Sequence, residues 1–291
     1  MHKEHHGFLF GFLAAVSAAV IAVFIKLASA VPTETLVFAR FILCLPFILW
    51  MAIHKNVHLS FKKVPGHLVR SLAGLASMYS YFYAIKSLPL VSALTLSNTS
   101  PLFMPVIVLI ALRLVVSKLR CIALLIGFIG VLILLRPGNF TFNLGSLAAL
   151  GTGLFSALSY FSIRQLSKTE STETILAYYF LICSALTFVP MAVVWEPIAD
   201  PKDWLYLLGL GAFSFIFQYA MTRSYTLVAA TRMSTLNYLG VVFAGLSGWW
   251  IFNEVPDLWV LAGSVLIIGS AVIALFDRTP PHRLGEGGSR K

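Results

Sequence analysis

Apolar residues run along this chain in blocks of 18 or more, broken by short polar stretches, over the whole length. A helix needs about 20 residues to cross the hydrocarbon core, so each block reads as a membrane span. Spans are expected over residues 7–28, 34–54, 68–87, 90–112, 119–136, 144–165, 174–195, 204–223, 229–252 and 258–276. Gly7 to Ala28 resembles a signal peptide, with Ala28-Ser29-Ala30 after it. Its apolar core is too long for that, and Lys26 interrupts it. The expected fold class is an all-α integral membrane protein of ten transmembrane helices.

The polar exceptions are more informative than the apolar rule. Leu88 to Pro105 is apolar enough for a membrane, yet carries Ser97-Asn98-Thr99-Ser100 at its centre and Pro101 and Pro105 after it. Such residues are tolerated at bilayer depth only against protein or a water-filled cavity. The stretch also has a partner later in the chain. Tyr83-Ala84 resembles Tyr219-Ala220, and Asn98 corresponds to Asn237, 139 residues on. Gly7 and Lys26 pair with Gly145 and Arg164 at an offset of 138. Thr33-Glu34-Thr35, Phe41, Cys44 and Gly130 recur at an offset of 139, and Gly74 and Ser77 at 137. A nearly constant offset over the chain predicts a duplicated five-span unit, residues 7–137 and 143–276. Five is odd, so the second unit enters the membrane inverted.

Charge agrees with that topology. With the N-terminus inside, the loops and tails on that side hold 16 of the 21 Lys and Arg, leaving Lys26, Arg40, Lys86, Arg136 and Lys202 outside. This excess places both termini in the cytoplasm of a cell whose inner membrane the protein spans. The net charge of +10 is therefore a topology signal and not a nucleic-acid footprint. Charged residues make up 11% of the chain, against about 25% in soluble domains. Cys44, Cys121 and Cys183 form no paired motif and read as buried, inert thiols. The Pro-, Gly- and Arg-rich tail, 277–291, is expected to be disordered.

Candidate binding residues are polar groups too deep to be interfacial. Asn98 and Asn237 sit mid-span, as interhelical glue or as ligand contacts. Arg40 lies about 9 Å along its helix from Glu34, where it either snorkels outward or binds a carboxylate or phosphate. Tyr79 and Tyr83 share a face at i,i+4, as do Ser156 and Tyr160. Tyr179 and Gln218 complete the set. Aromatic faces at this spacing serve packing or interface belts as well as ligands. Every His falls in a loop, a tail or a span end, and no Asp or Glu lies at mid-membrane. A proton relay through the membrane uses such groups, so exchange or facilitated movement fits better. The same absence, with no Walker A sequence, argues against an intramembrane enzyme, a cofactor or direct use of ATP.

Several motifs carry a resemblance to a known family. Phe38-Ala39-Arg40-Phe41, Tyr83-Ala84 running into Leu88-Pro89-Leu90, and Pro101-Leu102-Phe103 are three of them. The most specific is Phe252-Asn253-Glu254-Val255-Pro256 leading to Ala262-Gly263 and Gly269. On these the chain resembles the EamA-type members of the drug/metabolite transporter superfamily, over residues 7–276. Val115 stands where the first half would hold the equivalent glutamate. The resemblance implies a secondary transporter of small polar metabolites, working by alternating access, with the bilayer and a small-molecule substrate as partners. A homodimer is compatible with it. The Arg70, Gly74, Tyr83-Ala84 and Pro89 arrangement is most similar to the S-adenosylmethionine transporter branch. That branch implies S-adenosylmethionine/S-adenosylhomocysteine exchange, with Arg40 on a carboxylate and the tyrosines on adenine or a sulfonium. Amino-acid or drug export and flipping of a lipid-linked substrate are the alternatives.

Overall fold

The computed structural model describes residues 2–55, 63–112, 114–115, 117–135, 143–228, 238–276 and 282–283. In chain order they form α1 (His2–Leu27), α2 (Thr33–His54), α3 (Val64–Ser87), α4 (Leu90–Ser97) and α5 (Ser100–Leu112). Then come β1 (Leu114–Val115), α6 (Lys118–Leu135), α7 (Leu144–Leu166), α8 (Thr172–Val193) and α9 (Pro201–Leu227). The last are α10 (Tyr238–Phe252), α11 (Leu258–Phe276) and β2 (His282–Arg283). Among the described residues six stretches are long and apolar enough to cross a membrane: His6–Leu27, Thr33–His54, Leu90–Leu112, Leu144–Leu166, Thr172–Val193 and Pro201–Leu227. Cys121–Leu134, Gly240–Phe252 and Leu258–Ser270 are shorter apolar helices. All of this makes an all-α membrane protein, apart from two residue pairs. Leu114 and Val115 pair antiparallel with Arg283 and His282 of the tail.

Local chemistry sets the ends. Asn143 and Ser171 cap α7 and α8, their side-chain oxygens accepting from the N–H of Ser146 and Thr174. Asp200 caps α9 by accepting from Lys202, with Pro201 at the first turn where a missing N–H costs nothing. The expected span 90–112 is not one helix. It breaks at Asn98-Thr99, because Pro101 cannot donate back to Ser97 and the chain tightens instead. The N–H of Thr99 reaches Leu96 O at 3.2 Å, and that of Leu102 reaches Thr99 O at 2.9 Å.

The helices pack across the two halves of the chain more than within them. α1 lies against α9, and α3 against α7. α2 lies against α8, and α6 against α11. Exchanging α1, α2, α3 and α6 for α7, α8, α9 and α11 maps this set of contacts onto itself. The buried side chains of α1–α4 and α7–α9 form one apolar core. The outward faces remain apolar: Leu9, Ile53, Ile110, Phe128 and Val189 are all exposed, as a lipid-facing surface requires. All six tryptophans are exposed, and Trp195, Trp204, Trp249, Trp250 and Trp259 cluster at the ends of α8–α11. That is the placement of an interfacial aromatic belt.

Three expectations change. Cys44 and Cys183 are buried, but Cys121 is exposed on α6. His67, expected just ahead of the span 68–87, lies in the first turn of α3; it is buried and stacks on Tyr178 with ring centroids 4.0 Å apart. Arg70, counted above as an inner-surface charge, is buried with its guanidinium 4.0 Å from the Tyr179 ring centroid.

α6 and α11 touch backbone to backbone. A Cβ at Gly263 would sit 2.8 Å from Gly130 O and 3.1 Å from Leu134 N, whereas one at Gly269 meets nothing within 4 Å. Gly263→Ala should therefore cost about 1–3 kcal/mol of stability, while Gly269→Ala should leave it unchanged. Thermal unfolding of the detergent-purified protein checks the difference.

Candidate functional site

The broken helix, α4 and α5, meets α1, α2, α3, α7 and α9 around a central cavity. Each element reaches it for a local reason. At the break, Ser97, Asn98 and Ser100 are released from helical stacking and face inward. Gly153 on α7 lets the break approach, because a Cβ there would collide with Thr99 Oγ1. α7 presents Thr152, Ser156 and Tyr160, spaced i,i+4,i+8 on one face. α3 presents Ser77, Met78 and Tyr81. α1 contributes only small or apolar residues, Ala15, Ala18 and Ile21. Ser77 Oγ bonds Ser156 Oγ at 2.7 Å and donates to Thr152 O at 3.3 Å, tying α3 to α7 beneath the cavity.

Arg40 of α2 is the one charged residue of the lining among the described residues. It does not snorkel: it is 1% exposed. Nη1 contacts the Met78 thioether, a weak acceptor. Phe217 and Phe41 stand with their ring centroids 5.7 and 6.0 Å from the guanidinium. Nε and Nη2 have no hydrogen-bond partner among the described residues. Arg70, the other buried arginine, is differently placed. Its Nη1 donates to Ser159 and its plane covers the Tyr179 ring, so it has a packing role between α3, α7 and α8.

The remaining sequence candidates divide. Asn98 and Tyr160 line the cavity with Arg40, and Tyr160 stacks on Tyr225 at 4.6 Å between centroids. Gln218 is buried beside it on α9, but Phe217 and Met221 are the α9 residues that line it. Tyr179 is packed under Arg70 and against Phe41, outside the lining. Tyr79 packs against the core, and Tyr83 is 44% exposed beside Asn143 and Leu147. Asn237 lies outside the described residues. The sequence reading passed over Tyr81, Met78 and Phe217, and took Ser77 only as a repeat marker. Ser77 and Tyr81 are also i,i+4, and two residues turn a helix by about 200°, so the 79/83 pair marks the opposite face.

Polar contacts join the halves at each end of the bundle. At the end predicted to be outside, Lys26 of α1 pairs with Glu254 of the α10–α11 turn. Glu254 Oε2 also accepts from the N–H of Leu90, the first residue of α4, at 2.7 Å. Asn253 turns the chain with φ of 53° to bring that carboxylate in. At the other end Lys63 pairs with Glu170 at 3.0 Å. There Arg164, the counterpart of Lys26, donates to the Thr226 carbonyl at 3.2 Å.

Known proteins share this sequence and this fold. The profile of the EamA-like transporter family matches twice, over residues 5–136 and 143–276. The pseudopaline exporter CntI of Pseudomonas aeruginosa strain UCBPP-PA14 is 32% identical over 273 residues, 91% of this chain and 94% of the exporter. A riboflavin transporter of Vibrio cholerae is 25% identical over 296 residues, covering 97% of this chain and 98% of the relative. An S-adenosylmethionine uptake transporter of Rickettsia prowazekii is 25% identical over 235 residues, 81% of this chain and 79% of its own. A solved crystal structure shares the fold with a TM-score of 0.69 at 20% identity, over 92% of this chain and 96% of that one.

The two arginines should separate in stability. Arg70→Met removes a hydrogen bond and a cation–π contact and should cost about 2 kcal/mol. Arg40→Met removes a buried charge that has weak partners, and should leave stability unchanged or raised. Tryptophan-fluorescence melts of the two variants check this. Equal losses would make Arg40 a structural residue.

Proposed function

The chain belongs to the EamA-like transporter family, and we propose that it moves a small polar metabolite by alternating access around the Arg40 cavity. It is a multi-pass membrane transporter of small molecules and not an enzyme. Its frame is ten spans in two inverted five-helix units, residues 7–137 and 143–276, in a bacterial inner membrane with both termini cytoplasmic. The twofold exchange symmetry of the helix contacts supports this frame, as does the doubled family match. The observation that carries the reading is the cavity itself. Its wall mixes apolar with hydroxyl and amide side chains, it includes the buried Arg40, and helices of both units line it. Inverted-repeat carriers place their substrate at such an interface, often beside a broken helix.

The end contacts supply the two closures. Lys26, Glu254 and Leu90 hold α1, α4 and the α10–α11 turn together about four to five residues beyond Ile21 and Leu94 of the cavity wall. At 1.5 Å per residue they lie about 6–8 Å above it. Lys63 with Glu170 does the same for the inner end. Val115 in place of a glutamate leaves Arg164 without an equivalent acid, so the inner closure is the weaker of the two on that side. Substrate moves by exchange, since the described cavity lining holds no carboxylate or histidine to carry a proton. S-adenosylmethionine, with S-adenosylhomocysteine as counter-substrate, is the first pair to test.

Proteoliposomes loaded with unlabelled compound should take up labelled S-adenosylmethionine or an amino acid faster than empty ones, with no response to a pH gradient. No uptake of any compound by folded protein would sink the transport reading. Tyr81→Ala should lower uptake about ten-fold and Tyr83→Ala less than two-fold, as the loss of one aromatic contact implies. Glu254→Gln should open the outer end, so that a cysteine at Ala18 reacts faster with an external maleimide. Unchanged reactivity would rule out Glu254 as a closure.

A further inference from the structure

The substrate class of the cavity can be read from the edge of Arg40 that is left open. A guanidinium offers its N–H bonds along two edges suited to a carboxylate, and one of them is formed by Nε with Nη2. Those are its two nitrogens without a hydrogen-bond partner among the described residues, both fully buried, while Nη1 contacts Met78. That unpaired edge has the donor spacing for two parallel hydrogen bonds to one carboxylate. Charge sets the number of such groups. Among the described residues Arg40 is the one cation of the lining and no acid accompanies it. A single carboxylate pairs that cation. A phosphate dianion would leave a net buried charge, which is costly in a site 1% exposed at its cation. The rest of the wall prefers an uncharged, partly aromatic body. Tyr81, Tyr160 and Phe217 offer ring faces, and Ser156 and Asn98 offer single hydrogen bonds.

We propose that the ligand of this cavity is an organic monocarboxylate, free or within an amino-acid group, held bidentately by Nε and Nη2 of Arg40 with its body against Tyr81, Tyr160 and Phe217. This rests on the transport reading above and adds a coupling to it. An empty carrier must reorient with an unpaired guanidinium in its core, whereas a loaded one reorients with that guanidinium paired. The carboxylate is then the group that permits reorientation, and exchange outruns net flux for that reason.

The test compares matched ligands on the full-length protein in nanodiscs, by thermal stabilisation and by counterflow in proteoliposomes. The probes are S-adenosylmethionine, S-adenosylhomocysteine, phenylalanine and hippurate, each beside its carboxamide, with riboflavin as a neutral compound and phenyl phosphate as a dianion. At least one acid should bind about ten-fold or more tightly than its amide, the worth of a charge-assisted pair. Arg40→Gln should erase that preference and Arg40→Lys should keep part of it. The matched comparison on the unaltered protein stands even where a variant fails to fold. Amides binding as well as acids, a preference that survives Arg40→Gln, or binding of riboflavin or phenyl phosphate alone would each overturn the proposal. So would the failure of every acid to bind. Uptake of riboflavin in that last case would leave the transporter reading standing while removing the carboxylate.

Discussion

Inside a bilayer no water completes an unfinished hydrogen bond, so every polar group in the span must be satisfied by the protein or left at a cost. The central architecture follows from where that rule is met and where it is relaxed. At the α4–α5 break the N–H groups of Thr99 and Leu102 turn to the Leu96 and Thr99 carbonyls, and the break packs closely on Gly153. Ser77 is met by Ser156 and Thr152. Arg70 has Ser159 and the Tyr179 face. Arg40 and Ser97 are the exceptions among the described lining residues, with Nε and Nη2 of the one and Oγ of the other buried without a hydrogen-bond partner.

The bundle is joined mainly by contacts between halves, and the strongest polar ones sit at its ends. Lys26 and Glu254 are 228 residues apart in sequence, yet one carboxylate holds both the end of α1 and the start of α4. At the corresponding inner corner Arg164 donates to the Thr226 carbonyl, and Val115 stands in the sequence where the glutamate would be. A duplicated frame with unequal corners can hold two end states at different stability. For a carrier that is a means of setting which side it faces at rest, and it needs no change in the substrate site.

Legibility depended on the kind of information each element carries. Span positions were readable because bilayer thickness sets helix length, and the described helices follow the expected spans to within a few residues at most ends. Arg40, Asn98 and Tyr160 were readable as polar groups where polarity is costly. Tyr79 and Tyr83 fall outside the described cavity lining, because i,i+4 spacing identifies a shared face but not which face turns inward. Ser77 and Tyr81 share the same spacing on the other side, and only the position of α7 decides between them. Cys121 was misjudged for the same reason: depth along a helix was clear, and rotation about its axis was not.

Hydropathy, charge asymmetry and the 139-residue offset determine by themselves that this is a helical membrane protein built on a repeat, since each reflects the chain's relation to the bilayer. The tertiary structure decided which nitrogens of Arg40 are open, which tyrosines meet the cavity and which acid reaches Lys26. Those facts depend on helix rotation and on contacts between residues far apart in sequence. A one-dimensional pattern does not encode them, because lipid and protein neighbours are equally apolar and leave no difference for the pattern to record.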